Sequence, residues 1–323
     1  MQAAIASPGV APRAASERVA AAPRVRRSEW VILVFLVYAS IASEVIPIAA
    51  AGRARTLLLN FAILAGYALL IRADTVRSRL ATSVCRDWLS LALILLAYRE
   101  MGWFALPHLS HPLELRWVAW DRVVLRGGLK AAIEALGPVL PSILEIAYSL
   151  VYALAPFCVA MLYVSGQREA VDRFLFVFAT GVLLCYAQFP LWPSDPPRTL
   201  FAGEDIPAYL TVFRRFNLWM LAGAGIHTSV FPSAHVAGAF ATAFGMRRAA
   251  ARRWWVHPLL FTMAVLIALA TVYGRYHYLA DAITGLLIAI TALAFSDLLD
   301  SSRSRQVGFQ GIPTRQVSSP ALR

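Results

Sequence analysis

The sequence has little charge for its length. Only 15% of its 323 residues are Asp, Glu, Lys or Arg, whereas 59% are hydrophobic. Soluble domains carry about 25% charged residues, so this chain cannot cover a globular surface with charge. Its hydrophobic content also excludes a disordered chain, and it lacks the Gly-X-Y period of collagen. The remaining class is an integral membrane protein, in agreement with a mean hydropathy of +0.63.

Cysteine and lysine are also scarce. The three cysteines, Cys85, Cys158 and Cys185, are far apart, and their spacing predicts neither a disulfide framework nor a zinc site. We interpret them as small apolar packing residues. Lys130 is the single lysine among 30 basic residues, against 18 acidic ones. Arginine-rich cytoplasmic loops of a membrane protein explain this excess more simply than a nucleic-acid partner, so we expect no nucleic acid to bind.

Long apolar stretches are what the sequence does contain. About 20 apolar residues are needed to cross a bilayer as a helix, and eight stretches approach or reach this length. They are residues 30–50, 56–71, 87–106, 143–165, 173–192, 231–246, 256–273 and 277–297. We therefore predict an all-α fold, a polytopic membrane helix bundle of about six to eight transmembrane helices. The polar residues 1–29 and 301–323 are expected to be flexible tails around one membrane domain at 30–300.

The distribution of arginine predicts an orientation for this bundle. If the N-terminus is inside, the inner segments contain more arginine than the outer ones, and the strongest marker is the loop 247–255. Both termini are then cytoplasmic, and the arginine bias of an alanine-rich chain favours a bacterial plasma membrane. The long outer loop 107–142 contains Trp and Arg, which favours a helix lying among the lipid headgroups.

The first segment with chemical information is residues 193–199, Pro-Ser-Asp-Pro-Pro-Arg-Thr, after the fifth stretch. Its prolines favour an extended turn, which would hold Arg198 at the membrane surface. A guanidinium there can bind a phosphate through two parallel hydrogen bonds. The alternative is a proline-rich loop with an interfacial arginine. Asp195 in the same turn is a candidate substrate-lining residue.

The second segment is residues 227–235, His-Thr-Ser-Val-Phe-Pro-Ser-Ala-His, which leads into the sixth stretch. Pro232 suits the first turn of a helix, and the free amides and dipole of a helix N-terminus favour a bound anion. His235 would then lie close to that anion, and His227 is a candidate for the same opening. The alternative is a histidine that is only packed or hydrogen-bonded.

The third segment opens the eighth stretch and contains His277 and Asp281, four residues apart. On a helix they share one face, where the carboxylate can orient the imidazole and stabilise its positive form. Ionisable groups at a membrane helix end are costly and therefore indicate a site, although a polar pair facing water is the alternative. The alternating direction of the helices places all three segments on one membrane face, the extracytoplasmic one in the orientation above.

An Arg segment, a Pro-Ser-x-His segment and a His-x-x-x-Asp segment in this order resemble the type 2 phosphatidic acid phosphatase (PAP2) superfamily. The quoted residues are Pro-Pro-Arg at 196–198, Phe-Pro-Ser-Ala-His at 231–235 and His-Tyr-Leu-Ala-Asp at 277–281, within a motif region of about 190–285. More narrowly, the chain resembles the inositolphosphotransferase branch, the inositol phosphorylceramide synthases and their bacterial relatives. The resemblance implies a PAP2-like core and a lipid phosphate or phosphodiester substrate, without a metal or a cofactor.

Carried over residue by residue, the resemblance makes His277 the nucleophile that attacks phosphorus, with Asp281 orienting it. His235 would protonate the leaving oxygen, and Arg198 would hold the phosphate. The resulting phosphohistidine would be resolved by water or by an alcohol such as inositol, and imidazole is suited to both roles near neutral pH. The other phosphate-binding candidates are Ser233, Ala234 and Arg275.

The chain departs from the phosphatase pattern at three positions. Leu191 and Thr271 stand where the phosphatases have Lys and Arg, and Ala234 stands in place of Gly. Arg275, two residues before His277, is expected to supply the missing charge. The missing cations are compatible with the transferase branch, but they leave hydrolysis and transfer unresolved.

Two other classes of protein remain open. His235, His277 and Asp281 have the chemistry of zinc ligands, so a metal-dependent membrane hydrolase is one alternative. A lipid-binding or transport protein with polar residues along a pathway is the other. Further polar residues in or near the spans are interpreted as structural pairs or as contacts to a substrate headgroup. They are Glu44, Arg99, Glu100 and Glu145.

Overall fold

The computed structural model describes residues 25–77, 80–105, 110–226, 228, 230–249 and 254–310. Among these residues the fold is helical and contains no strand. The helices are α1 (Arg27–Val45), α2 (Ala50–Arg77), α3 (Leu80–Met101), α4 (Pro112–Val124), α5 (Lys130–Glu134), α6 (Val139–Val164), α7 (Val171–Gln188), α8 (Pro197–Leu200), α9 (Val212–Ala224), α10 (Ala234–Ala249), α11 (Val256–Tyr273) and α12 (Leu279–Gln310). Seven of them, α1, α2, α3, α6, α7, α11 and α12, are long and apolar enough to cross a membrane. The predicted polytopic membrane helix bundle is confirmed.

Helix α10 lies at the centre of the bundle, against α7, α11 and α12. Its 16 residues span about 24 Å at the rise of an α-helix, less than the hydrocarbon thickness of about 30 Å. Small side chains allow the close packing: Ala237 and Ala241 are fully buried, and a Cβ on Gly181 of α7 would lie 3.0 Å from that of Ala241. Small residues have this role at helix interfaces in membranes.

Contacts at the two ends of the bundle define the direction of its helices. At one end, Asp172 at the start of α7 accepts hydrogen bonds from the first amides of α1, at Arg27 and Ser28. Arg27 also pairs with Asp300 in the C-terminal part of α12. At the other end, the amide of Ser233 donates to the carbonyl of Asp281 in the first turn of α12. The start of α1 and the last turns of α12 therefore lie opposite the three motif segments.

The helix boundaries differ from the expected ones in several places. Helix α2 extends beyond the predicted 56–71 at both ends, and Asp74 in its last turns pairs with Arg86 of α3. The tail predicted at 301–323 is helical as far as Gln310, because extending an existing helix needs no new nucleation. The rest of that tail and residues 1–24 lie outside the described residues. The helix predicted within 107–142 is present as α4.

Candidate active site

The Arg198 segment follows the end of α7 and is fixed by its own backbone. Pro196 and Pro197 lead into the single turn α8, and the amide of Arg198 donates to the carbonyl of Arg275 at 3.0 Å. The guanidinium lies 5.9 Å from the centre of the Tyr276 ring and donates to the Tyr276 carbonyl at 3.4 Å. Among the described residues no carboxylate forms an ion pair with Arg198. Its charge is therefore available to an anion, although burial lowers its pKa.

Three side chains form a continuous contact: His235 in the first turn of α10, Asp281 in the first turn of α12, and His277 in the turn between α11 and α12. Nδ1 of His277 lies 3.2 Å from Oδ2 of Asp281, and Nε2 of His277 lies 3.4 Å from Nδ1 of His235. His277 is 6% exposed, whereas Asp281 is fully buried. Oδ2 of Asp281 also accepts the amide of Tyr278 at 3.0 Å, which fixes the carboxylate. The carboxylate is thus placed to orient the His277 ring, whose other nitrogen faces His235.

The position of His235 depends on a close approach between the loop before α10 and helix α12. Gly285 of α12 lies against this loop, and a Cβ at Gly285 would lie only 2.5 Å from the Ser233 carbonyl oxygen. The Ser233 amide in turn donates to Asp281 at 3.1 Å. The second and third motif segments are therefore connected through backbone atoms, and glycine is required at the point of contact.

Two tyrosines of α6 hold the His235 ring. Tyr148 stacks on it with ring centres 4.9 Å apart, and the Tyr152 hydroxyl lies 3.3 Å from its Nε2. Tyr148 also stacks on Tyr276, at 4.1 Å. Tyr148 and Tyr152 are four residues apart, so they share a helix face. That spacing is the signal in the sequence for these two residues, which were not among the predicted site residues.

A cavity of about 300 Å³ extends from these groups into the bundle. Its charged or ionisable lining groups, tyrosines apart, are Arg198, His235 and His277, and Ala234 also lines it. The remaining lining is mostly apolar and aromatic. It includes Leu91, Leu95 and Tyr98 of α3, Val151 and Ala155 of α6, and Phe178, Val182 and Tyr186 of α7. A polar end attached to an apolar chamber suits a ligand with a charged head and an apolar chain.

Arg275 does not line this cavity. It is fully buried, and its guanidinium donates to Asp121 of α4, which also accepts the amide of Leu279 at 2.8 Å. Arg275 has a positive φ of 61°, which turns the chain between α11 and α12. Burial raises the pKa of Asp121. Arg275 was expected to contact the phosphate. The structure instead directs its charge toward Asp121, away from the cavity.

The other predicted residues occupy different positions around the site. The Ser233 amide is already bonded to Asp281, and the Ser233 hydroxyl oxygen accepts the amide of Val236. The backbone of Asp195 contacts Glu114 and the Tyr278 hydroxyl, and Asp195 is not among the cavity-lining residues. His227 lies outside the described residues.

The histidines and Asp281 do not converge on one point as metal ligands would. Both ring nitrogens of His277 face side chains, one toward Asp281 and one toward His235. Within the described part of the chain, no group of three or more His, Cys, Asp or Glu side chains is arranged to hold a metal ion. The arrangement instead resembles a relay of a carboxylate and two imidazoles.

The chain belongs to the PAP2 superfamily, whose family model matches residues 118–295. This range contains all three motif segments and helices α6 to α11. Comparisons with curated proteins and with solved structures give no match. Membership indicates a membrane enzyme of the phosphatase type that acts on lipid phosphates.

Proposed function

We propose that the protein cleaves a lipid phosphoester through a phosphohistidine on His277, as an enzyme of the inositolphosphotransferase type. The observation that carries this proposal is the contact series Asp281–His277–His235 at the polar end of an apolar cavity. Arg198 lines the same end and forms no ion pair with the described residues. Phosphoryl transfer depends mainly on positioning and on charge stabilisation, and these groups supply both.

In the first step, Nε2 of His277 attacks phosphorus, and the bond between phosphorus and the leaving oxygen breaks. His235 donates a proton to that oxygen. Burial, and after it the charge of His277, lowers the pKa of His235 to about 3 in the free protein, so His235 has to take up this proton when the anionic substrate binds. In the second step, water or an alcohol attacks phosphorus, the phosphorus–nitrogen bond breaks, and His235 takes the proton of the attacking hydroxyl. Burial and the charge of Arg198 lower the pKa of His277 to about 3, so its ring is neutral and its lone pair is available.

The charge of the site favours a phosphodiester over a phosphomonoester. A monoester carries a charge of about −1.5 to −2 at neutral pH, whereas a diester carries one negative charge. Arg198 is the one arginine among the described residues that line the cavity, and Arg275 is paired with Asp121. The first amides of α10, at Ala234 and His235, have no partner among the described residues and add partial positive charge.

The lipid chain is proposed to occupy the apolar part of the cavity between α3, α6 and α7. We place the site on the extracytoplasmic face of a bacterial plasma membrane, with both termini cytoplasmic. This placement is supported by the arginine-rich loop 247–255, because cytoplasmic loops carry an excess of basic residues. Labelling by an impermeant thiol reagent tests the orientation. Single cysteines are introduced at Glu204 and Glu169, on opposite faces, after the three native cysteines are replaced by serine, because Cys85 is exposed.

The proposal is tested by product analysis with purified wild type, His277→Ala and, as a matched control, His257→Ala of α11. Each protein is given lipid phosphates and phosphodiesters, with and without inositol, glycerol or a polyprenol. We expect headgroup exchange that depends on both His277 and the acceptor. In wild type we also expect a histidine labelled with ³²P. Free phosphate without acceptor dependence would indicate a phosphatase instead. Equal turnover by wild type and His277→Ala would overturn the proposed nucleophile.

A further inference from the structure

A buried carboxylate, Glu145 of α6, lies next to the candidate site without lining its cavity. It is 3% exposed. One oxygen accepts Nη1 of Arg214 at 2.9 Å, and the other accepts the Asn217 amide at 2.7 Å and the Tyr276 hydroxyl at 2.6 Å. A buried ion pair is tolerated when further hydrogen bonds satisfy its remaining polar atoms, and this one has them.

Arg214 and Asn217 belong to α9, which connects this buried group to the protein surface. They are three residues apart and face inward, at 6% and 2% exposed, and Arg214 also donates to the Gly274 carbonyl at 3.2 Å. The opposite side of α9 exposes Phe216 and Trp219. This is the pattern of a helix that lies in the membrane interface with one polar face held by the protein.

Tyr276 connects the Glu145 group to the candidate site in two ways. The guanidinium groups of Arg214 and Arg198 lie 5.6 and 5.9 Å from the centre of its ring, and its carbonyl accepts a hydrogen bond from Arg198. The ring also stacks on Tyr148, which stacks on His235. Burial and Glu145 raise the pKa of Tyr276, so its hydroxyl remains a donor.

We propose that Arg214, Glu145 and Tyr276 are positioning residues for phosphoryl transfer. The ion pair fixes the Tyr276 hydroxyl. The Tyr276 carbonyl and ring then position Arg198, and the Tyr276 ring positions His235 through the stacked ring of Tyr148. The inference rests on the proposed function, since it assigns these residues to the geometry of that reaction. It makes α9 a part of the catalytic unit although α9 supplies no reacting atom.

The structure provides substitutions that separate positioning from folding. Tyr276→Phe removes the bond to Glu145 and keeps the stacked ring. Arg214→Lys keeps the charge but loses the planar guanidinium, which donates to both Glu145 and the Gly274 carbonyl. The double variant Arg214→Met with Glu145→Leu removes both charges, a change that often preserves stability. Arg215→Gln is the matched control, because Arg215 is the exposed neighbour on the same helix.

Steady-state kinetics of the full chain, with elution profile and thermal unfolding as folding checks, test the inference. We expect kcat to fall about 10- to 100-fold in Tyr276→Phe, Arg214→Lys and the double variant, because small displacements of reacting groups cost this much. KM is expected to change less than about threefold, and Arg215→Gln to match wild type. His277→Ala is measured in parallel.

The outcomes separate the inference from the proposed function. If His277→Ala is inactive while folded Tyr276→Phe and the folded double variant retain the wild-type kcat, the inference is wrong and the proposed function stands. If the variants lower stability but not kcat of the folded protein, the network is only structural. If His277→Ala is as active as wild type, both are overturned. Should the double variant not fold, Tyr276→Phe and Arg214→Lys still decide.

Discussion

Nε2 of His277 lies 3.4 Å from Nδ1 of His235. This separation leaves no room for a phosphoryl group between the two rings, so the His235 ring has to move aside when substrate enters. Among the described residues, His235 is held by ring stacking on Tyr148, by the Tyr152 hydroxyl and by His277 itself, whereas His277 is fixed by a buried carboxylate. The proposed nucleophile is thus the rigid partner and the proposed acid the movable one.

Asp281→Asn is expected to abolish most turnover while leaving the fold intact. The amide keeps the size of the side chain but cannot stabilise a positive His277 ring or hold its tautomer, and in hydrolytic triads this change costs about 10⁴-fold in kcat. We expect a loss of at least about 10³-fold, measured as initial rate on the best substrate. Glu169→Gln, an exposed acid at the opposite end of the bundle, is the control and should retain full activity. Unchanged turnover in Asp281→Asn would remove Asp281 from the mechanism.

Protonation of His277 is not expected to lower kcat/KM near pH 6.5, the pKa of an ordinary histidine. The pKa of His277 is lowered from 6.5 to about 3, first by burial and then by the charge of Arg198. Protonation, which removes the lone pair, therefore sets in only as the pH falls toward 3. Arg198→Met removes the positive charge, so the pKa of His277 should rise and any acid limb should move to higher pH. A limb that moves to lower pH in this variant would contradict the assignment.

Gly285→Ala is expected to damage the site although Gly285 is not among the residues that line the cavity. The new Cβ would lie 2.5 Å from the Ser233 carbonyl, so the loop before α10 has to shift and the His235–His277 contact is lost. Overpacking of this kind destabilises by about 1–3 kcal/mol. The control is Gly66→Ala in α2, where the new Cβ meets nothing within 4 Å and should be neutral or stabilising. Thermal unfolding in detergent and turnover measure the two effects.

The sequence predicted the membrane bundle and the relative placement of Arg198, His235 and His277 because these features depend on local patterns. Apolar stretches predict crossing helices, and their alternation predicts which loops share a face. The partner of Arg275 was not predictable in this way. Arg275 and Asp121 are separated by 154 residues, and the contact depends on how α4 packs against the start of α12. The ion pair between Glu145 and Arg214 was not predictable for the same reason, since no pattern near either residue indicates its partner.

Substitutions of the two arginines near His277 should give opposite results. Arg275→Gln leaves Asp121 as a buried carboxylate without its cation, which costs about 3–5 kcal/mol for such pairs. We expect a strongly lowered unfolding temperature, with KM of the folded protein near that of wild type. Arg198→Gln removes no ion pair among the described residues, so the stability of this variant should be retained. Its kcat/KM should fall at least about 100-fold, because the phosphate loses its guanidinium. The kinetic constants and the unfolding temperature of each variant, measured on the same preparation, distinguish the structural role of Arg275 from the phosphate-binding role of Arg198. If Arg275→Gln instead raises KM and leaves stability unchanged, Arg275 contacts the phosphate, as the sequence pattern alone suggested.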